Sequence, residues 1–340
     1  MNLDTQLGVF DLEKVGEEAK RLERMGFDPL WSFETAHDPF LPLTVAALAT
    51  NQIKLGTNIT VGFARSPMVT AMAAWDLQRA SKGRFLLGIG TQVRMHVERR
   101  FSGQWESPAP RVKELIECIR AIWDCWQNGS RPNFKGKFYQ FRLMTPFFNP
   151  GPNEHPHIPI YLAGVNPRMC RTAGEVADGF HSHPFHSVRY LQEVVRPNLD
   201  EGARTRGKTV DDLDISTMPF TISANSEAER SRMEQRVREQ ISFYASTPNY
   251  RGVMSMHGWE GVAERLSKMA RAGEWQQMGN LISDEMLETF AVFATPDKLA
   301  AVLQERYAGI SGRIALYDPI PGGDPEAPWQ AFVKAFKQAA

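Results

Sequence analysis

The histidines, carboxylates and glycines of this chain fall into a few tight groups, and each group suggests a chemistry. His181-Ser182-His183 sets two imidazoles on alternate residues of an extended run, so both would share one face. Such a pair ligates zinc in barrel hydrolases when further His, Lys or Asp ligands converge on it. His155-Pro156-His157 precedes a strand-like run instead of following one, so it lies on the wrong side, and carboxylates are too few for a binuclear centre. No metal is expected. Gly88-Ile89-Gly90 opens like a dinucleotide fingerprint, but no third glycine follows at the required spacing. The side chains suited to acid–base work are Glu34 and His37, in Glu34-Thr35-Ala36-His37-Asp38, and His96, which stands among Arg94, Arg99 and Arg100. Each has a plainer reading as well: Glu34 in a salt bridge, His37 in a helix-capping loop, His96 and its arginines merely solvated.

The elements that must position these groups alternate between strand and helix. Asp11 to Met25 has the three-and-four spacing of an amphipathic helix, capped by Asp11 and stopped by Gly26. Strand signals follow at Pro29–Phe33, Ile53–Phe63, Arg84–Gly90, Ile158–Ala163, Gly179–His183, Leu213–Ser223, Ala291–Ala294 and Arg313–Tyr317. Helices are expected between them: Leu41–Ala49, Met68–Ala80 behind Pro67, Pro110–Trp126, Pro167–Ala177, Ser187–Gly202, Ser226–Tyr244, Ser283–Phe290, Pro296–Tyr307 and Trp329–Lys337. Asn133–Phe141 reads as a small hairpin. Trp123 and Trp126 read as packing, whereas Trp105 lies in a loop from which it could roof a pocket.

Repeated strand–helix units imply parallel strands joined by right-handed crossovers. About eight such units close more economically into a barrel than into an open sheet with two exposed edges. The expected fold is therefore an α/β, (β/α)8 TIM barrel, a single domain over residues 1–340 with insertions at about 91–109 and 249–290. The active site of such a barrel lies at the C-terminal ends of its strands. That rule gathers Glu34 to Asp38, Gly62 to Arg65, Gly90-Thr91-Gln92, Gly164-Val165-Asn166 and His181-Ser182-His183 at one mouth.

Bulk composition narrows the function. The 340 residues are 42% hydrophobic, enough for a large core. Lys plus Arg and Asp plus Glu are 39 each, which argues against a nucleic-acid or anionic-membrane surface. No segment approaches the roughly 20 apolar residues of a membrane span. There are three cysteines; Cys118 and Cys125 lie two helical turns apart, too far for a disulfide. The odd count and the lack of a signal peptide predict a reducing, cytoplasmic setting.

An ordered set of short motifs then narrows the family. Gly26-Phe27-Asp28, Trp31, Glu34, Leu55-Gly56-Thr57-Asn58, Arg65-Ser66-Pro67 and Gly83-Arg84-Phe85-Leu86-Leu87-Gly88-Ile89-Gly90 are followed by Gly136-Lys137-Phe138-Tyr139, Ile158-Pro159-Ile160-Tyr161-Leu162-Ala163 and Ala177-Asp178-Gly179. Over roughly residues 10 to 185 the chain resembles the luciferase-like oxidoreductases, closest to the actinobacterial branch that uses the deazaflavin coenzyme F420. The resemblance implies a hydride transfer between that cofactor and a small organic substrate. It also implies a non-proline cis peptide at Asn58–Ile59, with Thr60 adjacent, supporting the deazaflavin ring. Thr35 would join that site. Gly90, Thr91 and Gln92 would run along the ring edge, and Ala163, Gly164, Val165, Asn166, Ser182 and His183 would surround the cofactor phosphate at a helix N-terminus.

Two departures separate the chain from the family's sugar-phosphate dehydrogenases: Glu34-Thr35 replaces their Asp-His pair, and no lysine stands near His183 to Phe185. Val165-Asn166 also replaces the usual paired glycines. The alternatives are a reduced-FMN-dependent monooxygenase served by a separate reductase, and a non-catalytic flavin-binding barrel. Family members usually form homodimers, and Met68, Val69, Met72 and Trp75 are candidates either for that contact or for barrel packing.

Overall fold

The computed structural model describes residues 1–320 and 326–338. Eight parallel strands form a closed barrel. They are β1 (Asn2–Gln6), β2 (Pro29–Ser32), β3 (Lys54–Thr57), β4 (Phe85–Gly90), β5 (Ile160–Gly164), β6 (Gly179–Ser182), β7 (Asp214–Thr217) and β8 (Arg313–Ala315). Each pairs with the next, and β8 returns to β1 through Asn2↔Arg313 and Leu3↔Ile314. Helices surround the barrel, so strand residues are buried from both sides and the strands read as apolar runs.

β1 shows little of that pattern. Its Asp4, Thr5 and Gln6 are polar yet buried, and each is spent inside the barrel or its ladder instead of facing water. The strand expected over Leu213–Ser223 divides in two. β7 ends at Thr217, and after Met218-Pro219 the segment Phe220–Ser223 leaves the barrel to pair with Ala291–Ala294. Proline has no N–H to carry a ladder onward, which explains where the break falls. Between these outer strands lie the helices Glu227–Ala245, Arg251–Ser255, Glu260–Ala272, Trp275–Met278 and Asp284–Phe290. The expected loop after β4 contains a short helix, Arg94–Arg99. The hairpin forms between Phe134–Lys135 and Gln140–Phe141.

The N-terminal end of the barrel is held by charge. Arg313 lies between Asp4 and Asp214, at 3.3 and 2.9 Å, while Trp31 Nε1 donates to Asp4 at 2.9 Å and Tyr161 Oη to Asp214 at 2.6 Å. Burial pushes the Asp4 carboxyl upward, against the pull of Arg313. At the same end Arg84 donates to the carbonyls of Ala47, Thr50 and Ile53, closing off the helix Phe40–Ala49. Glu23 accepts the N–H groups of Asn51, Gln52 and Ile53. The Gly83-Arg84-Phe85 motif is therefore a fastening far from the mouth. A cavity of about 330 Å³ also opens at this end, beside Asn2, Asp28, Lys54 and Arg313.

Above the ionic layer the barrel is filled by Trp31, Leu86, Tyr161 and His181. Trp75 is core, stacked near Trp123 and Trp126. Val69 and Met72 of the same helix are exposed, as are Leu41 and Leu48 on the helix beside it. All three cysteines are buried and free. No helix among the described residues is long and apolar enough to cross a membrane.

Gly88 shows how tightly the barrel is drawn. A Cβ there would sit 1.8 Å from the Thr57 carbonyl oxygen and 2.9 Å from His181 Nε2. Because the nearer obstacle is backbone, it cannot swing away, and Gly88→Ala is expected to cost about 3 kcal/mol or more. Urea unfolding of the variant measures this, and a loss below about 1 kcal/mol would mean that β3 and β4 can separate without penalty.

Candidate functional site

The site begins where the barrel ladder is interrupted. β3 stops at Thr57, the Asn58–Ile59 peptide is cis, and Thr60–Val61 resumes pairing on Ile89–Gly90 of β4. Asn58 and Ile59 are half-buried at the mouth. Ile59 leans on Gly90, where a Cβ would come within 2.7 Å of its side chain, so glycine is needed for the bulge to lie flat against β4.

Glu34 holds this bulge. Its Oε2 accepts from Val61 N at 2.7 Å and Thr60 Oγ1 at 3.1 Å, and its own N–H donates to the Ile59 carbonyl at 3.2 Å. Arg65 donates to both Glu34 oxygens at 2.8 and 2.6 Å and to Asp38 Oδ2 at 2.6 Å. Although burial opposes it, the two carboxylates keep the Arg65 guanidinium above its ordinary pKa. With its lone pairs so engaged, Glu34 is placed to position backbone. Arg65 was visible in the sequence only as a motif residue at a strand end, with no sign of its partner 31 positions earlier.

The other acid–base candidates lie further out. His37 is exposed and stacks on Phe10 at 5.0 Å. His96 is exposed on the helix Arg94–Arg99. Arg100 donates to the Thr35 carbonyl, tying the loop after β4 to the loop after β2. Thr91 and Gln92 are half-buried at the β4 end, and Gln92 takes a positive φ of 60° as the chain turns outward. Trp105 packs edge-on to Phe63 at 5.7 Å.

On the opposite side, Ala163 and Gly164 end β5, and Val165 and Asn166 lead into the helix Pro167–Val176. The Val165 carbonyl accepts from Tyr190 Oη at 3.2 Å, and Asn166 Nδ2 donates to the Asn249 carbonyl at 3.0 Å. The Asn166 side chain thus ties this turn to the β7–β8 segment instead of capping its own helix. Gly164 is opposite Ser182 in the ladder, and the Ser182 hydroxyl is buried without a partner. A buried donor of this kind suits an oxygen-rich ligand group at the mouth.

His183 is half-buried between Tyr250, at 4.3 Å, and the edge of Tyr244, at 4.6 Å. Burial and the neighbouring His186 push its pKa down to about 3. His181, two residues back, points into the barrel instead, and neither ring nitrogen has a partner. Burial, helped by Arg313, brings it to about 3 as well. Among the described residues no group of three or more His, Cys, Asp and Glu side chains could hold a metal ion. Tyr244, Tyr250 and Tyr317, which line this half of the mouth, had no spacing signal, since each comes from a different distant element.

The model of the luciferase-like monooxygenase family matches residues 2–312. The chain belongs to that family. An uncharacterized protein of Mycobacterium tuberculosis is 44% identical over 303 residues, 89% of each chain. The 5,10-methylenetetrahydromethanopterin reductase of Archaeoglobus fulgidus is 29% identical over 304 residues, 87% of each. Among solved structures, the coenzyme F420-dependent tetrahydromethanopterin reductase of Methanopyrus kandleri superposes with a TM-score of 0.79 over 99% of both chains, at 21% identity. The family puts the chain among oxidoreductases.

Two measurements follow from this geometry. Removing the Glu34 carboxylate leaves Arg65 buried with Asp38 alone, so Glu34→Ala is expected to lose about 3 kcal/mol in urea unfolding. A loss near that of an ordinary surface change, about 0.5 kcal/mol, would mean that the bulge is held by other contacts. His181 and His183 at about 3, with His186 at about 4, all titrate below the ordinary 6.5. Unfolding then takes up as many as three protons between about pH 4 and pH 6.5, opposed by the one that Asp4 releases. Stability should fall as pH drops through that window, with a net slope of about two protons, and His181→Phe should make it shallower by about one. A flat profile would mean that the imidazoles reach water.

Proposed function

We propose that this chain is an F420-dependent oxidoreductase that moves a hydride between the deazaflavin and a small organic substrate. The observation that carries the reading is the Glu34-held bulge at Asn58–Ile59, at the position where the family resemblance puts the ring support. The likeness to an F420-dependent reductase along nearly the whole chain supports the same cofactor.

Asn58, Ile59 and Thr60 would lie behind the ring, with Thr35, Gly90, Thr91 and Gln92 along its edge. Ala163, Gly164, Val165, Asn166, Ser182 and His183 would receive the phosphate end. The unpartnered Ser182 hydroxyl fits an acceptor oxygen there, and neutral His183 fits as a hydrogen-bonding group without charge. When bound, the deazaflavin supplies two-electron hydride chemistry. The protein's own work is to hold the ring's supporting backbone rigid, to exclude water with the loop after β4, and to supply a proton-exchanging side chain. Glu34 positions; His37 and His96 are exposed enough to exchange protons with solvent. The exposed Leu41, Leu48, Val69 and Met72 form an apolar face suited to a homodimer contact, and three buried free cysteines suit a reducing cytoplasm.

Titrating the purified chain with F420 and, separately, with FMN, and following the quenching of each ligand's fluorescence, tests the cofactor. Binding of F420 at least about tenfold tighter than FMN is expected. The reverse preference would instead make the chain an FMN-dependent monooxygenase served by a reductase, and binding of neither would leave a non-catalytic barrel.

A further inference from the structure

The half of the mouth built by β6, β7 and β8 is lined with aromatic rings. His183 follows β6, Phe220 follows β7 and Tyr317 follows β8, while Tyr244 and Tyr250 come from the β7–β8 segment. Tyr317 sits on top of the barrel filling, against the Trp31–Tyr161–Met218 cluster, with its ring 4.7 Å from Phe220. Its backbone is fixed from below, because Gln6 Nε2 donates to the carbonyls of Leu316 and Tyr317 at 2.7 and 2.6 Å. Its hydroxyl meets the Tyr244 hydroxyl at 3.0 Å, and Tyr244 in turn touches the Gln240 side chain. The adjacent Asp318 is paired with Arg236 at 2.6 Å, so the charge nearest Tyr317 is already matched.

We infer that Tyr317, backed by Tyr244, is the hydrogen-bonding group that binds the polar atom of a neutral, flat carbonyl or alcohol substrate within this aromatic wall. The inference rests on the oxidoreductase reading above and specifies its substrate class. A pair of phenols carries two protons, and only one is used between them. With the Gln240 amide donating to Tyr244, and Tyr244 to Tyr317, the Tyr317 proton is directed outward to an acceptor. With every bond in that row reversed, Tyr317 accepts instead. A carbonyl and its alcohol differ by a hydride on carbon and a proton on oxygen, so the oxygen changes from a pure acceptor into a donor as well. A reversible row of hydroxyls binds both forms; a fixed cation or carboxylate would favour one. Burial raises the pKa of both tyrosines, which keeps them protonated at neutral pH. The rings of Tyr244 and Tyr250 are half-buried and suit a planar ligand.

The test compares acetophenone, 1-phenylethanol and benzoate by ligand-observed saturation-transfer NMR on the full chain, with and without F420. Wild type should bind the ketone and the alcohol with affinities within about threefold of each other, and benzoate about tenfold more weakly. Tyr317→Phe should weaken ketone and alcohol alike by about five- to tenfold, with F420 quenching and melting temperature unchanged. Tyr244→Phe should weaken them by about two- to threefold, and it decides the matter if Tyr317→Phe fails to fold. Benzoate binding as well as the ketone, no detectable binding of either neutral probe, or phenylalanine variants that bind like wild type would each overturn the inference. If F420 does not bind wild type, the cofactor reading falls, while the probe comparison on the free chain still decides the role of Tyr317.

Discussion

A closed barrel satisfies its backbone by pairing every strand with two neighbours, and this one departs from that rule where β3 ends. Where β3 gives way to the Asn58–Ile59 bulge, the regular ladder is interrupted, and the Val61 amide and Thr60 hydroxyl are left inside. Glu34 accepts both, and Arg65 neutralises Glu34. A buried ion pair is seldom a net gain in stability over well-packed apolar groups. Its use here is geometric. A carboxylate with two fixed oxygens locates an amide, a hydroxyl and a guanidinium in one arrangement, and a hydrophobic contact would not set those angles. The remainder of the mouth is laid out around that point, since Gly90 is shaped to accept Ile59 and Arg100 ties the β4 loop to Thr35.

Below the bulge, the barrel interior changes character in layers. Arg313, Asp4 and Asp214 close the N-terminal end, and Trp31, Tyr161 and His181 fill the middle. His181 is held neutral because it is buried, has no hydrogen-bond partner and faces the positive charge of Arg313. The platform under the mouth is consequently uncharged and tightly packed, with Gly88 allowing the closest approach. An uncharged floor leaves the electrostatics of the mouth to the groups around its rim, so that a ligand meets charge at Arg65 and Asp38 and meets aromatic rings and hydroxyls across from them.

The sequence made much of this legible, and the physical reason differs from element to element. Alternating strand and helix signals were enough to infer the barrel, because most buried strands are apolar runs and several helices open on a cap or a proline. β1 escaped, since Asp4 and Gln6 satisfy their polarity with Trp31, Arg313 and the β8 end, and a single sequence does not show such distant partners. The break at Pro219 could have been anticipated from its missing N–H. The rule that strand ends form the mouth correctly gathered Glu34, Thr91, Val165 and His183 at one end of the barrel. It did not separate His183 from His181, although alternate residues share a face in an ideal strand: after β6 ends at Ser182 the backbone turns, and the two imidazoles part, one into the core and one to the rim. Nor did it reveal that the oxygens of Glu34 are already engaged.

The two halves of the mouth are made by different means, and this bears on how one barrel can serve different substrates. The half from β2 to β4 is short-range: Glu34, Arg65 and the bulge lie within 31 residues of one another, and an ordered set of short motifs encodes them. The other half is long-range. Tyr244 and Tyr250 reach the mouth from helices inserted between β7 and β8, and they are joined to it by Asn166, Tyr317 and Arg236 through contacts spanning 83, 73 and 82 residues. Changes in those helices can re-line this half of the mouth without touching the ladder, because the strand pair Phe220–Ser223 and Ala291–Ala294 that frames the segment lies outside the barrel. A fixed support on one side and a replaceable wall on the other fit short motifs concentrated in the first half of the chain to a mouth whose other half is set by distant contacts.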